Sequence, residues 1–125
     1  MHYINNYILF LLHTFNYLSL RKITNFIGLY SSYLFHRKVL NFTSTLRPAF
    51  ISVEPADFCQ LKCPECPVGQ KAKSNGNLID NEFFSNYIDE LKRELLHVIF
   101  YFQGEPLLNR NLHELINYAH NAKIF

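Results

Sequence analysis

All the cysteines of this 125-residue chain lie in one short stretch, CQLKCPEC, in which Cys59, Cys63 and Cys66 are spaced four and then three residues apart. Closing a loop this short costs little entropy, so three thiolates can be brought around one metal centre. Three thiolates suit an iron–sulfur cluster with one iron left open, because a complete protein-only site normally uses four cysteines. The stretch, called the cysteine loop below (residues 59–66), therefore predicts a metal centre with an open position for chemistry.

Other interpretations of the cysteine loop stay open at this point. Structural zinc is usually four-coordinate, so a zinc site needs a fourth ligand, for which His97, His113 and His120 are candidates. A ferredoxin-type electron carrier needs a fourth cysteine, which the sequence lacks. The loop could also hold reduced cysteines without a metal. For the flanking Glu54 and Asp57 we expect capping or loop hydrogen bonds, with acid–base chemistry as the alternative.

The composition predicts a reducing compartment for the protein. An odd number of clustered cysteines does not resemble a disulfide framework, and the amino-terminal residues lack the positive region of a secretory signal. We therefore expect a cytoplasmic protein, and we expect no nucleic-acid partner. The net charge of +2 is uneven: residues 1–50 carry five Lys and Arg and no acid, whereas residues 51–125 carry seven Lys and Arg against ten Asp and Glu.

Residues 1–48 are predicted to form a basic helical arm. Apolar residues recur at helical spacing in residues 7–20 and again from Ile23 to Leu34, and polar, turn-forming residues 41–48 indicate a linker. Two amphipathic helices packed on the rest of the fold are the first interpretation. An arm lying in an anionic membrane interface, giving a membrane-associated accessory protein, is the second. A transmembrane span is the third, although the first apolar run is short for one.

Residues 49–125 are predicted to form an α/β core. A strand over 49–54 precedes the cysteine loop, and Asp80 caps a helix whose apolar spacing runs to Leu95. An apolar strand over 97–102 leads into Gln103-Gly104-Glu105-Pro106, and a further helix and the start of a third strand follow. This alternation predicts parallel strands, so the cysteine loop and residues 103–106 (the glycine loop below) should meet at the carboxyl end of the sheet.

Residues 49–69 (AFISVEPADFCQLKCPECPVG), together with 99–109 (IFYFQGEPLLN), resemble the start of a radical S-adenosylmethionine (radical SAM) enzyme. They resemble in particular the SPASM-type branch, which often carries further cysteines in a carboxyl-terminal extension. The resemblance implies the amino-terminal part of a partial TIM barrel, preceded here by amphipathic helices. Its Cys-x3-Cys-x2-Cys signature is the most specific part of the match.

The resemblance also implies the cofactors and their ligands. Cys59, Cys63 and Cys66 would bind three irons of a [4Fe–4S] cluster, and the amino and carboxylate groups of SAM would chelate the fourth. Reductive cleavage of SAM would then give methionine and a 5′-deoxyadenosyl radical that takes hydrogen from a substrate. Gln103, Gly104, Glu105 and Pro106 match the family's Gly-Gly-Glu-Pro stretch, which lines the methionine amino group. An electron donor such as flavodoxin or ferredoxin is implied as a partner, and the branch suggests a peptide substrate.

Three departures from the family pattern qualify the resemblance. Glu65 occupies a position that is often aromatic, and Gln103 replaces the first glycine of the second motif. The match covers residues 49–125, about two strand–helix units, whereas an eightfold barrel takes about 250 residues. We therefore expect an amino-terminal fragment with an unpaired sheet edge, inactive by itself. A non-catalytic fragment that binds iron–sulfur or zinc is the alternative.

Overall fold

The computed structural model describes residues 14–36, 46–70 and 76–125. Within these ranges the chain forms helix α1 (Leu20–His36), strand β1 (Phe50–Ser52), helix α2 (Asn81–Leu91), strand β2 (His97–Ile99), a short 3-10 helix (Pro106–Leu108) and helix α3 (Leu112–Asn121). This mixed order of strands and helices, with a two-stranded parallel sheet, is compatible with the predicted α/β class.

The two strands pair in parallel, as the alternating pattern predicted. Phe50 lies opposite His97, and Ser52 lies opposite Ile99. The backbone of Phe125 continues the sheet on the other side of β2, because its N–H donates to the carbonyl of Leu96 and its own carbonyl accepts from the N–H of Val98. Phe125 therefore pairs with β2 in the region where a third strand was predicted to start, although the described sheet has two strands. Successive segments of the chain lie side by side in this sheet.

Helix α2 begins where its cap was predicted. The carboxylate of Asp80 accepts hydrogen bonds from the backbone N–H groups of Glu82 and Phe83, which satisfies donors that have no partner inside the helix. The helix ends at Leu91, one turn before the predicted end, but Leu95 is still completely buried. A turn between these two leucines brings Leu95 into the core while the chain reverses towards β2.

The hydrophobic core lies between the sheet and the two helices that follow its strands. Its buried members come from α2, β2, α3 and the turns beside them: Phe84, Ile88, Leu91, Leu95, Val98, Leu115, Ala119 and Ile124. Burial of each of the larger aliphatic side chains contributes about 1.5–3 kcal/mol, so this cluster accounts for much of the driving force for folding. It also holds the ends of both strands in place.

Helix α1 packs at the amino end of the sheet. The Phe26 ring lies 5.9 Å from that of Phe50, the first residue of β1. The amide of Asn25 donates to the carbonyl of Arg47, three residues before that strand. Arg21 forms an ion pair with Glu94, which precedes β2. These contacts agree with the interpretation of α1 as a helix packed on the fold, whereas the predicted domain division at residue 48 stays a prediction.

Both strands are shorter than predicted. The strand predicted over 49–54 spans Phe50–Ser52, and that over 97–102 spans His97–Ile99. The second strand was expected to be covered on both faces, yet only Val98 in it is buried, and Tyr101 and Phe102 beyond it are 62% and 69% exposed. An apolar run indicates a strand only as far as it finds pairing partners, and the partner strand ends at Ser52.

Parts of the predicted arm lie outside the described residues. These are most of the first apolar run over 7–20 and residues 41–45 of the linker; the described end of that run leaves helical structure after Phe15. None of the helices in the described part of the chain is long and apolar enough to cross a membrane.

Candidate functional site

The chain leading into the cysteine loop is tied to the chain leading out of it. Ala56 and Leu78 form an isolated antiparallel bridge. Next to it, the side chain of Asp57 accepts from the backbone N–H of Asn77 at 2.7 Å and from its amide nitrogen at 3.0 Å. Because both connections lie just after β1, the cysteine loop projects from the carboxyl end of that strand. Asp57 thus makes the loop hydrogen bonds that the sequence predicted for it.

The second half of the cysteine loop folds back on itself in a turn. The N–H of Cys66 donates to the carbonyl of Cys63 at 3.1 Å, and the side chain of Gln70 donates to the carbonyl of Pro64 at 2.9 Å. A Cβ placed on Gly69 would lie 3.0 Å from the backbone N of Cys63 and 3.0 Å from the carbonyl oxygen of Leu61. The backbone at Gly69 therefore packs closely against the backbone of Leu61 and Cys63 in the cysteine loop.

The three cysteines are free thiols in this structure. Cys59 and Cys66 are half-buried and Cys63 is exposed. Over the described ranges, no three His, Cys, Asp or Glu side chains converge closely enough to hold a metal ion. The structure thus places the predicted ligands on one loop without gathering them around one point, and their role as ligands stays a prediction.

The glycine loop lies directly against the residues that lead into the cysteine loop. The N–H of Glu105 donates to the carbonyl of Phe58 at 2.9 Å. A Cβ added to Gly104 would lie only 1.7 Å from the carbonyl oxygen of Ala56 and 3.3 Å from the backbone N of Phe58. Because the φ angle of Gly104 is not positive, glycine is required here by close backbone approach rather than by conformation. The predicted meeting of the two loops is thus seen for Ala56 and Phe58, the residues just before the cysteine loop.

Glu54, which follows β1, binds the backbone of the glycine loop. One oxygen of its carboxylate accepts hydrogen bonds from the backbone N–H groups of Gln103 at 2.9 Å and Gly104 at 2.7 Å. Hydrogen bonds to an ionised acceptor are stronger than those between neutral groups. The half-buried carboxylate of Glu54 therefore holds the glycine loop in a fixed position relative to the end of β1. Loop hydrogen bonding was the role expected for Glu54, and this geometry confirms it.

The remaining residues of the glycine loop differ in exposure. Gln103 is exposed, whereas Glu105 and Pro106 are half-buried. A carboxylate oxygen of Glu105 accepts from the N–H of Leu107 at 3.2 Å and so caps the 3-10 helix that begins at Pro106. The carboxylate of Glu105 is thereby held at a fixed place beside the junction of the two loops.

Asn109 is a part of this junction that was not singled out from the sequence. It is 3% exposed, and its side-chain amide donates to the carbonyl of Pro55 at 2.9 Å. The same side chain accepts from the N–H of Asn111. Asn109 thus ties the chain after the glycine loop to the chain before the cysteine loop. Only its position at the end of the quoted 99–109 stretch distinguishes it, since its partner is 54 residues away.

Two of the histidines considered for a zinc site lie away from the cysteine loop. His97 is the first residue of β2, at its amino end, and its ring stacks on Phe125. The Nδ1 atom of His120 lies 2.7 Å from the hydroxyl of Tyr17, before α1. Both histidines therefore lie near the end of the sheet opposite to the thiols. The structure does not support either of them as the fourth ligand of a zinc site.

Comparison of the chain with protein-family models, with curated proteins and with solved structures found no match in any of the three.

Proposed function

We propose that this chain is part of a radical SAM-type protein. In this proposal Cys59, Cys63 and Cys66 hold three irons of a [4Fe–4S] cluster, and the glycine loop receives the amino acid end of SAM. The parallel strands would then be the first units of a partial TIM barrel, whose functional loops lie at the carboxyl ends of the strands. The adjacent placement of β1, β2 and Phe125 supports this order of strands.

The observation that carries the proposal is the contact between the glycine loop and the residues that lead into the cysteine loop. These segments are far apart in the sequence, yet Gly104 touches the backbone of Ala56 and Glu105 is bonded to Phe58. A ligand that reaches from a cluster on the cysteine loop to the glycine loop would therefore have to span only a short distance. SAM is such a ligand, because its sulfonium is part of a methionine moiety that also carries an amino group and a carboxylate.

The donor set fits an iron–sulfur cluster better than other metals. Cysteine thiolates are the usual ligands of such clusters, and three of them leave one iron for a non-protein ligand. Two of the thiols are half-buried and none is consumed in a disulfide. When bound, the cluster and SAM would supply one-electron cleavage of the sulfonium to methionine and a 5′-deoxyadenosyl radical that abstracts hydrogen.

The chain's own residues would bind and orient the amino acid end of SAM. The carboxylate of Glu105, held by its hydrogen bond to Leu107, can accept from an ammonium group beside the loop junction. Gly104 has no side chain to block the approach, and Glu54 keeps its backbone in position. We further propose a peptide substrate and a flavodoxin or ferredoxin as electron donor, both on the strength of the branch resemblance.

A metal-binding protein without catalytic activity is the second candidate. The observation in its favour is the set of three free thiols, since cysteine thiolates bind zinc as well as iron–sulfur clusters. Such a protein would take up iron and sulfide, or zinc, but would not respond to SAM.

The two candidates are separated by the response of the reconstituted protein to SAM. After anaerobic reconstitution and reduction, the radical SAM proposal predicts that SAM changes the electron paramagnetic resonance (EPR) spectrum of the cluster. Glu105→Ala should weaken this response without changing the iron content, and Glu114→Ala, on the exposed face of α3, is the control. A cluster whose spectrum is indifferent to SAM would favour the second candidate. Formation of 5′-deoxyadenosine is a separate readout, which reports turnover rather than binding of SAM.

A further inference from the structure

Helix α1 uses its two cations and one of its amides to attach to the rest of the protein. Lys22 is 3% exposed and donates from its ammonium group to the carbonyl of Lys123, and Asn25 is 6% exposed. Arg21 is paired with Glu94. One face of the helix is therefore fixed on the amino end of the sheet.

The opposite face of α1 is an apolar stripe with no covering among the described residues. It consists of residues spaced three and four apart along the helix, with exposed fractions of 77%, 40%, 56%, 57% and 42% for Leu20, Ile23, Ile27, Tyr30 and Leu34. These five residues are called the outward stripe. Fourteen helical steps make it about 21 Å long. A contiguous exposed apolar surface of this kind marks an interaction site.

The charges around the outward stripe favour an anionic lipid surface as its partner. No Asp, Glu, Lys or Arg occurs between Ile23 and His36, and no acid occurs anywhere in residues 1–50. Arg37 and Lys38 follow the helix directly in sequence, and residues 1–50 carry five Lys and Arg in all. An acid-free amphipathic helix that carries aromatic residues and has Lys and Arg next to it in sequence is the pattern of a helix that lies in the membrane interface.

A second copy of the chain fits the outward stripe less well. Pairing two stripes would bring together two amino-terminal segments that each carry five Lys and Arg and no acid in residues 1–50. Anionic lipid headgroups attract the same cations, and the attraction falls as salt is added. The charge of residues 1–50 therefore favours a lipid surface as the occupant.

We propose that the outward stripe docks the protein on an anionic membrane surface with the cysteine loop facing away from the lipid. The orientation follows from the fold, because α1 covers the amino end of the sheet while the cysteine loop and the glycine loop follow the carboxyl ends of the strands. The helix would lie along the surface rather than span it. This proposal does not depend on the proposed function.

The test uses single tryptophans, since the chain has none of its own. Tyr30→Trp places a reporter in the outward stripe, and Tyr101→Trp places one after β2; the two tyrosines are similarly exposed, at 57% and 62%. Vesicles of phosphatidylglycerol and phosphatidylcholine should shift the emission of the first variant to shorter wavelength and leave the second unchanged. Shifts in both variants, or in neither, would overturn the proposal.

A second pair of variants tests whether the stripe itself provides the binding. Ile27→Asp should weaken co-sedimentation with the anionic vesicles at least tenfold, whereas Ile116→Asp, at an exposed position of α3, should not. Binding of the wild-type chain should also fall with added salt and be at least tenfold weaker to pure phosphatidylcholine. Equal binding of both variants, or a wild-type dimer that Ile27→Asp converts to monomer without vesicle binding in either, would contradict the proposal.

Discussion

Replacing Gly104 by Ala is the sharpest single perturbation of the loop junction. The added Cβ would lie 1.7 Å from the carbonyl oxygen of Ala56, and that atom is backbone, so no side-chain rotation relieves the clash. Restoring an ordinary separation requires the glycine loop to retreat by about 1.5 Å, since Cβ contacts below about 3.0–3.4 Å are rarely tolerated.

Such a movement has a cost that can be worked out from the contacts. The bond from the N–H of Glu105 to the carbonyl of Phe58 is 2.9 Å long and would break, and so would the 2.7 Å bond from Gly104 to Glu54. Overpacking costs about 1–3 kcal/mol, and a hydrogen bond to a charged group contributes about 1.5–3 kcal/mol. We therefore expect Gly104→Ala to lower the free energy of unfolding by about 3 kcal/mol.

Gly28→Ala is the matched control for this experiment. Its Cβ would lie 2.7 Å from the end of the flexible Leu46 side chain, which can move, and alanine is favoured over glycine within a helix by about 1 kcal/mol. Urea denaturation followed by far-ultraviolet circular dichroism measures both variants. If the free energy of unfolding of Gly104→Ala lies within about 0.5 kcal/mol of the wild-type value, the close approach of Gly104 to Ala56 is wrong.

Three further changes test the surroundings of the junction. Glu54→Ala removes the acceptor of two amides, each bond being worth about 1.5–3 kcal/mol, and should speed amide hydrogen exchange in the glycine loop. Glu54→Gln keeps an acceptor oxygen and should stay closer to the wild type; equal exchange in all three proteins would count against this role. Asn109→Ala removes two hydrogen bonds of a buried side chain: the one it donates to the Pro55 carbonyl, which keeps its bond from the N–H of Ile79, and the one it accepts from the N–H of Asn111. It should cost about 1–3 kcal/mol in thermal unfolding, whereas Asn111→Ala, which loses no side-chain cap bond, should cost less; the reverse order would be inconsistent with the structure. Burial holds the pKa of Lys22 below its ordinary value, so the unfolded chain binds more protons than the folded one between the two values and stability should rise with pH there. The difference in unfolding free energy between the wild type and Lys22→Met should therefore move in favour of the wild type as the pH rises towards the ordinary lysine pKa of about 10.5, and a flat or falling difference would contradict the burial of this ammonium group.

The local patterns in the sequence predicted the elements that position the site. Asp80 marked the start of α2 because its side chain can satisfy the first amides of the helix, and this depends on neighbouring residues alone. The alternation of strands and helices placed both loops at one end of the sheet, since parallel strands share their direction. The approach of the glycine loop to the residues just before the cysteine loop followed from this order of strands and helices.

The details of the junction could not be read from local patterns. Asn109 reaches the carbonyl of Pro55 and Asp57 binds Asn77, but polar residues of these types are common in loops and their partners are distant in sequence. The strands ended early for a related reason: β1 ends at Ser52, and it is the side chain of Ser52, not a backbone N–H of β1, that donates to the carbonyl of Tyr101. Tertiary contacts decide such cases, and a linear pattern does not contain them.

Helix α1 likewise was predicted from a local pattern, whereas its contacts were not. The spacing of Ile23, Ile27 and Tyr30 predicted α1, but it did not say which face would be covered. The structure turns Lys22 inward and leaves the most regular apolar stripe exposed. A helical period identifies a face of a helix, whereas the partner of that face depends on the fold.

The most direct test of the central claim is elemental analysis and EPR of the full chain after anaerobic reconstitution with iron and sulfide. The account predicts about four irons and four sulfides per chain, with a signal of a reduced [4Fe–4S] cluster that is lost in Cys63→Ala. Retention of zinc in place of iron, absence of bound metal, or a cluster signal that survives Cys63→Ala would contradict it.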